Sequence, residues 1–175
     1  MPLSDTTVGP RPIGWLNGLD DESAVAELRT CCTAEAWVRG VVGARPFESR
    51  DDLLATSDDL VVAFDDEALS EALAAHARIG ERRAGESRED TWSREEQAAA
   101  LAAGTDVKTL LEHGNREYER RFGHVFLIRA AGRSPEDMYD ALRTRLGNDE
   151  ETERAVVLHE LAEIVRLRLE RLVTA

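Results

Sequence analysis

The first notable feature of this 175-residue sequence is the absence of any long apolar run. A membrane-spanning helix needs about 20 consecutive apolar residues, and no stretch here approaches that length. The first residues, MPLSDTTVGPRP, also lack the basic start and the apolar centre of a secretory leader. The sequence therefore predicts a protein that avoids membranes and resides in the cytoplasm.

Cysteine is nearly absent as well. Cys31 and Cys32 are adjacent in the chain, which makes them poor candidates for a structural disulfide. Cys32 has no evident base partner, so a thiol nucleophile is not supported. The two residues are predicted to be small apolar side chains in a helix of a reduced protein.

Lysine is the scarcest charged residue. Lys108 is the only one, and the formal net charge is −13. Nucleic-acid binding needs a cationic surface that displaces counterions, so the sequence predicts no nucleic-acid partner. An anionic small molecule would have to be met by a local cluster of arginines.

Motifs for nucleotides, metals and acyl transfer are missing too. The chain contains no G-x-G-x-x-G, no P-loop and no G-x-S-x-G. None of the four histidines lies three or four residues from another. His159, Glu160 and Glu163 come near the H-E-x-x-H zinc helix, but the second ligand position is glutamate. The sequence therefore predicts no metal site.

What the sequence does contain is a succession of amphipathic helices. Apolar residues recur three and four apart through most of the chain. Residues 1–14, with three prolines, are predicted to be an N-terminal arm, and residues 15–175 a single compact all-α domain of about eight helices. The run HVFLIRA (124–130) is strand-like but stands alone, so at most a lone extended segment is expected. The predicted helix caps are Asp20 or Asp21, Thr33, Ser49, Asp65, Ser93, Asp106, Ser134 and Asp149.

A polar segment rich in Arg and Glu interrupts this pattern between His76 and Gln97. It is predicted to be a long active-site loop, since long loops in compact domains are commonly functional. The loop would bring His76 together with Glu96, two titratable groups of the kind that acid–base chemistry needs. Two plainer interpretations remain open. His76 can be an ordinary histidine at a helix end, and Ser93 with Glu96 can form an S-x-x-E capping box.

Several motifs, taken in order, are typical of one enzyme family. They are Ala44-Arg45-Pro46-Phe47, His76-Ala77-Arg78-Ile79-Gly80, Trp92-Ser93-Arg94-Glu95-Glu96-Gln97, the spaced residues Asn115, Tyr118, Phe122, Gly123 and Phe126, then Gly132-Arg133-Ser134 and Arg166-Leu167-Arg168-Leu169. In this combination the chain resembles the 2-oxo-4-hydroxy-4-carboxy-5-ureidoimidazoline (OHCU) decarboxylases of urate breakdown. Two positions depart from the family pattern. Ala77 replaces a proline, and Arg129 replaces a cysteine that is frequent in bacterial members, which leaves open whether specificity or activity is altered.

The resemblance implies a carboxy-lyase that needs no cofactor and converts OHCU into (S)-allantoin and carbon dioxide in purine catabolism. It implies that His76 and Glu96 are catalytic. It leaves open whether Arg129 or Arg133 meets the substrate carboxylate. If the strand-like run is extended, Arg129, Ala131 and Arg133 would share one face. A homodimer is possible, and urate oxidase and hydroxyisourate hydrolase are the implied upstream partners. The substrate-binding residues implied are Ala77, Ser93, Gln97, Phe126, Ile128, Arg129 and Arg133.

Two other functions remain open at this stage. A non-catalytic helical interaction protein would bind a partner through the apolar last helix and carry a decayed His76–Glu96 pair. A related lyase or hydrolase acting on another ureido acid is favoured by Ala77 and Arg129. Allantoin formation from freshly generated substrate would separate both from a decarboxylase.

Overall fold

The computed structural model describes residues 9–81, 85 and 87–174. These residues form ten α-helices and no β-strand, so the all-α prediction is confirmed with more helices than the eight or so expected. The additional helices lie before Asp20 and inside the polar segment. No helix in these ranges is long and apolar enough to cross a membrane. The helices are α1 (Ile13–Gly18), α2 (Asp21–Leu28), α3 (Glu35–Ala44), α4 (Arg50–Val62), α5 (Asp66–Ala74), α6 (Arg88–Glu96), α7 (Ala98–Leu101), α8 (Thr105–Phe122), α9 (Pro135–Arg145) and α10 (Glu150–Leu172).

Most helices begin where the sequence predicted, because the capping side chain is local to the helix it starts. Each confirmed cap accepts a hydrogen bond from the backbone N–H three residues later. Three predicted caps are wrong: Thr33, Asp106 and Ser93, of which Ser93 is described with α6 below. The hydroxyl of Thr33 donates to the carbonyl of Glu71 instead, and α3 begins after Ala34. Asp106 lies inside the first turn of α8, which begins after Gly104. The confirmed caps are Asp20, Ser49, Asp65, Ser134 and Asp149.

The polar segment is less loop-like than predicted, because α6 occupies its second half. Ser87 caps α6 and forms a reciprocal capping box with Asp90. The expected box at Ser93 and Glu96 is therefore wrong. Two Ser-x-x-acid patterns follow one another here, at residues 87–90 and 93–96, and the earlier one starts the helix. Ser93 and Glu96 are left to face inward from the body of α6, both buried.

The beginning of the predicted arm, residues 1–8, lies outside the described residues. The end of the arm is attached to the last helix. The backbone N–H of Arg11 donates to the carbonyl of Leu172 at 3.0 Å, and the N–H of Thr174 donates to the carbonyl of Arg11 at 2.8 Å. Arg11 and Val173 form an isolated parallel bridge. The start of α1 therefore lies next to the end of α10.

Two clusters of buried apolar side chains form the core. The larger one lies among α1 to α5 and α10, and includes Trp37. The smaller one lies around α8 and α9, and includes Tyr118. The extended segment between α8 and α9 runs between the clusters. Leu127 packs into the larger cluster, whereas Phe126 and Ile128 pack into the smaller one, the alternation expected of an extended chain.

Candidate active site

A small cavity lies where the extended segment passes between the two core clusters. Its volume is about 20 Å³, which is room for roughly one water molecule. Four parts of the chain line it: the segment after α5, the inner face of α6, the extended segment after α8, and α10. The lining residues are His76, Ala77, Ile79, Ser93, Glu96, Gln97, Phe126, Leu127, Ile128, Arg129, Ala130, Ala131, Ile164, Leu167 and Arg168.

A larger groove of about 820 Å³ opens on the surface among α5, α8 and α10. The described lining includes one imidazole, that of His124, whose Nδ1 lies 3.0 Å from the carbonyl oxygen of Val125. Three of its carboxylates are already ion-paired, in the pairs Asp66–Arg154, Glu119–Arg78 and Glu153–Arg145. The small cavity, which combines His76 and Glu96 with hydrogen-bonding groups, is the better candidate for an active site.

The position of Glu96 is fixed by Arg168 on α10. The Nε and Nη2 atoms of Arg168 donate to the two carboxylate oxygens of Glu96 at 3.1 and 3.0 Å. Both side chains are 9% exposed. Arg171 adds a longer contact, 3.7 Å from Nη1 to Oε1 of Glu96. A bidentate arginine sets both the place and the plane of a carboxylate.

The sequence interpretation missed a role for Arg168, although a signal was present. Leu161, Val165 and Leu172 form an apolar stripe on α10, and Arg168 lies three residues after Val165 and four before Leu172. A charged residue inside the buried stripe of an amphipathic helix needs a buried partner. The partner, Glu96, lies on a distant part of the chain, so the spacing indicates the need for it but not its identity.

His76 lies in the segment that leaves α5. Its backbone N–H donates to the carbonyl of Leu73 at 3.0 Å, which completes the last turn of the helix. The residue is half-buried and lines the cavity. Two buried contacts hold the following backbone. Asn115 donates from Nδ2 to the carbonyl of Ile79 at 2.9 Å, and the N–H of Gly80 donates to Oε1 of Gln97 at 3.1 Å.

Ser93, Glu96 and Gln97 share one face of α6 because they are spaced three and four apart. Gln97 uses its amide oxygen to hold Gly80. Within the described ranges, its amide nitrogen and the hydroxyl of Ser93 make no hydrogen bond. Both groups line the cavity, so they are available to bind a polar molecule there.

Arg129 and Arg133 lie in different surroundings. Arg129 lines the cavity, and its backbone N–H donates to Oε2 of Glu160 at 2.7 Å. Its guanidinium forms no ion pair with the residues described. Arg133 is outside the cavity lining and pairs with Oε1 of Glu160 at 3.3 Å.

The expected shared face of Arg129, Ala131 and Arg133 is wrong. The N–H of Arg133 donates to the carbonyl of Ala130 at 3.0 Å, and Gly132 has a φ of 80°. This turn ends the extended segment and removes Arg133 from the alternation, because only an extended chain repeats every two residues.

The cavity brings together all but one of the residues proposed from the sequence, the exception being Arg133. Among the residues that the structure describes, its lining contains two arginines and one glutamate, which leaves one surplus positive charge in a protein of net charge −13. A half-buried imidazole, a fixed carboxylate and free hydrogen-bonding groups complete it. Such a site can bind a small anion, exclude water and move a proton. The predicted residues that line the cavity are His76, Ala77, Ser93, Glu96, Gln97, Phe126, Ile128 and Arg129.

Sequence comparison relates the chain to proteins of urate breakdown. Residues 17–170 match the family model described as OHCU decarboxylase. The chain is 30% identical over 162 residues to the uric acid degradation bifunctional protein PucL of Bacillus subtilis (strain 168), a match that covers 91% of this chain and 32% of that protein. It is 27% identical over 150 residues to the uric acid degradation bifunctional protein TTL of Arabidopsis thaliana, covering 83% and 46%. The chain thus spans less than half the length of either relative.

Solved structures share the fold. A crystal structure of OHCU decarboxylase in the presence of (S)-allantoin superimposes with a TM-score of 0.71 at 23% identity, covering 87% of this chain and 96% of that one. A crystal structure of (S)-allantoin synthase gives a TM-score of 0.67 at 14% identity, covering 90% and 52%. At sequence identities of 23% and 14%, these comparisons show that the arrangement of helices is shared, and nothing beyond the fold.

Proposed function

This chain belongs to the OHCU decarboxylase family, and we propose on that premise that it converts OHCU into (S)-allantoin and carbon dioxide without a cofactor. The substrate has a hydroxyl and a carboxylate on one ring carbon, beside an imine carbon that bears the ureido group. When the carboxylate leaves as carbon dioxide, the electron pair of the broken bond moves into the imine. The substrate thus supplies its own electron sink, and the protein has to bind, orient and protonate.

His76 is the proposed proton carrier. The imine nitrogen, which receives the electron pair, must gain a proton. The hydroxyl must lose its proton to become a carbonyl, and the former imine carbon must gain one. An imidazole suits both transfers, because its ordinary pKa of about 6.5 allows it to accept and donate near neutral pH. Its place in the cavity lining puts it beside whatever is bound there.

Arg129 is the proposed anchor of the substrate carboxylate. The charge of Arg168 is balanced by Glu96 and that of Arg133 by Glu160. Arg129 lines the cavity and keeps its charge unbalanced by any residue the structure describes. Glu96 and Gln97 would hold the ring and ureido groups by hydrogen bonds, with Ser93 assisting. The presence of this surplus cation in the lining of the same small cavity as His76 is the observation that carries the proposal.

The substrate is larger than the cavity. A ring with carboxylate, hydroxyl and ureido groups needs several times the space of one water molecule, and the cavity has about 20 Å³. The lining must therefore separate when substrate enters and close again over it. Closure would exclude water from the decarboxylation.

The test uses substrate generated freshly from urate by urate oxidase and hydroxyisourate hydrolase, the proposed upstream partners. Circular dichroism of the allantoin follows the reaction. Protonation in free solution can occur on both faces of the planar intermediate and gives a racemate, whereas the enzyme should give one hand. Allantoin that forms no faster than without protein, and racemic, would refute the proposal. Cytoplasmic location and a homodimer remain predictions from the sequence.

A related lyase or hydrolase acting on another ureido acid is the second candidate, favoured by Arg129. A cation in the cavity lining would also bind the carboxylate of other ureido acids. The same protein should then turn over one of these faster than OHCU, as a panel of ureido acids assayed in parallel would reveal.

A further inference from the structure

His76 lies in a short stretch that has no helix of its own. The stretch leaves α5 after Ala75 and reaches a turn at Gly80, where φ is 85°. A side chain on irregular backbone points where the neighbouring residues hold it. The contacts of residues 77–80 therefore contribute to the position of His76 in the cavity lining.

Arg78 connects this stretch to the body of the protein through an ion pair. Its Nε and Nη2 atoms donate to the two carboxylate oxygens of Glu119 on α8, the second at 2.9 Å. A weaker contact reaches Glu81 at 3.3 Å. Arg78 does not line the cavity. Its charge instead binds Glu119, which attaches the backbone around Arg78 to α8.

Glu119 and Asn115 act from the same face of α8, because they are four residues apart. Asn115 holds the carbonyl of Ile79, next to Arg78. Two successive residues of the stretch are therefore bound to α8: the side chain of one by Glu119 and the backbone carbonyl of the next by Asn115. Bidentate pairing restricts orientation more than a point charge does.

The residue between His76 and Arg78 makes this grip more important. Ala77 has no ring to fix its φ, as a proline would, and its N–H donates no hydrogen bond within the described part of the chain. Ala77 thus adds no hydrogen-bonded restraint of its own between His76 and Arg78. On the C-terminal side of His76, the ion pair of Arg78 is two residues away, a separation of at most about 7 Å.

We infer that the Arg78–Glu119 pair is a positioning clamp for His76. The inference rests on the proposed role of His76 in proton transfer. Neither residue lines the cavity, and both act by holding the stretch that carries the imidazole. Loss of the clamp should thus slow turnover more than it weakens substrate binding.

The test compares Glu119→Gln and Arg78→Lys with a matched control, Asp58→Asn. Asp58 pairs with Arg166 between α4 and α10, at side-chain exposures of 32% and 35%, and neither residue lines the cavity. Each clamp variant should lower kcat at least tenfold with KM changed less than twofold, while the control stays within twofold of wild type. The double variant should be no slower than the slower single one, because both changes remove one clamp. The inference would be overturned if the double variant lost kcat by the product of the two single losses, or if the single variants changed KM instead of kcat.

A second measurement does not depend on the reaction. Imidazole resonances of His76, assigned with His76→Asn, should shift or broaden in Glu119→Gln and stay unchanged in Asp58→Asn. Unchanged resonances in Glu119→Gln would overturn the clamp even if the protein decarboxylates OHCU. Shifted resonances in a protein that is inactive on OHCU would support the clamp and reject the proposed function.

Discussion

Arg168 on α10 grips both carboxylate oxygens of Glu96 on α6, across 72 residues of sequence. Both side chains are almost fully buried. Removing one partner of such a pair leaves an uncompensated charge in the interior, which is costly. The pair therefore ties α6 to α10 and fixes the α6 side of the cavity.

Removing Arg168 should destabilise the fold. Arg168→Met is expected to lower the free energy of unfolding by about 3–5 kcal/mol, because Glu96 is left buried and unpaired. Adding Glu96→Gln to Arg168→Met should recover part of that loss, since the unpaired charge is gone. Chemical denaturation of the wild type, both single variants and the double variant measures the effect. Equal stability of Arg168→Met and wild type would contradict the buried pair.

Replacing His76 should separate chemistry from folding. His76→Asn is expected to lower kcat by about 10²–10⁴, the usual loss when a general acid–base is removed. The helical circular dichroism should not change. His159→Asn, at an exposed position on α10, is the control and should keep full activity. A folded His76→Asn protein with near-normal turnover would rule out the catalytic role.

The two arginines after Ile128 should behave differently. Arg129→Gln is expected to raise KM about 10- to 100-fold, since a charge-assisted pair contributes about 1.5–3 kcal/mol. Arg133→Ala should leave KM within about threefold, because Arg133 lies outside the cavity and pairs with Glu160. Steady-state kinetics on both variants measure KM and show which of the two arginines binds the substrate carboxylate. The opposite pattern would place the carboxylate outside this cavity.

The Arg78–Glu119 pair should contribute to stability in a pH-dependent way. Hydrogen bonding from Arg78 lowers the pKa of the Glu119 carboxyl below its ordinary value, which is about 4.3 in an unfolded chain. A carboxyl whose pKa is lowered by folding stabilises the fold above the unfolded pKa, and this stabilisation is lost as the pH falls through the folded pKa. The pair is partly exposed, so at most about 1 kcal/mol is expected.

Thermal unfolding of the wild type and Glu119→Gln from pH 7 to pH 3 measures this contribution. The difference in Tm should be largest above about pH 5 and shrink as the carboxyl is protonated. A difference that grows towards acid pH would mean that Glu119 is not held as an ion-paired carboxylate.

Local chemistry made the helix starts predictable, except where two local signals competed. Ser49 and Ser134 accept from backbone groups three residues away, so nothing distant is needed to place them. Ser87 and Ser93 both precede an acidic residue at the same spacing. Because Ser87 is the N-cap, residues predicted to be a loop form α6. Ser93 and Glu96 consequently lie on a buried face of that helix instead of at its cap.

The sequence by itself determined the all-α fold, most helix caps, and the segments from which the candidate site is drawn, because periodicity and capping act over a few residues. It also indicated that Arg168 needs a partner, since the residue interrupts an apolar stripe. The tertiary structure alone decided that this partner is Glu96. It also decided that Arg129 lines the cavity while Arg133 turns away to Glu160, and that Glu119 holds the segment of His76. These pairings join residues far apart in the chain, and a side chain's charge or shape cannot select a distant partner until the helices pack.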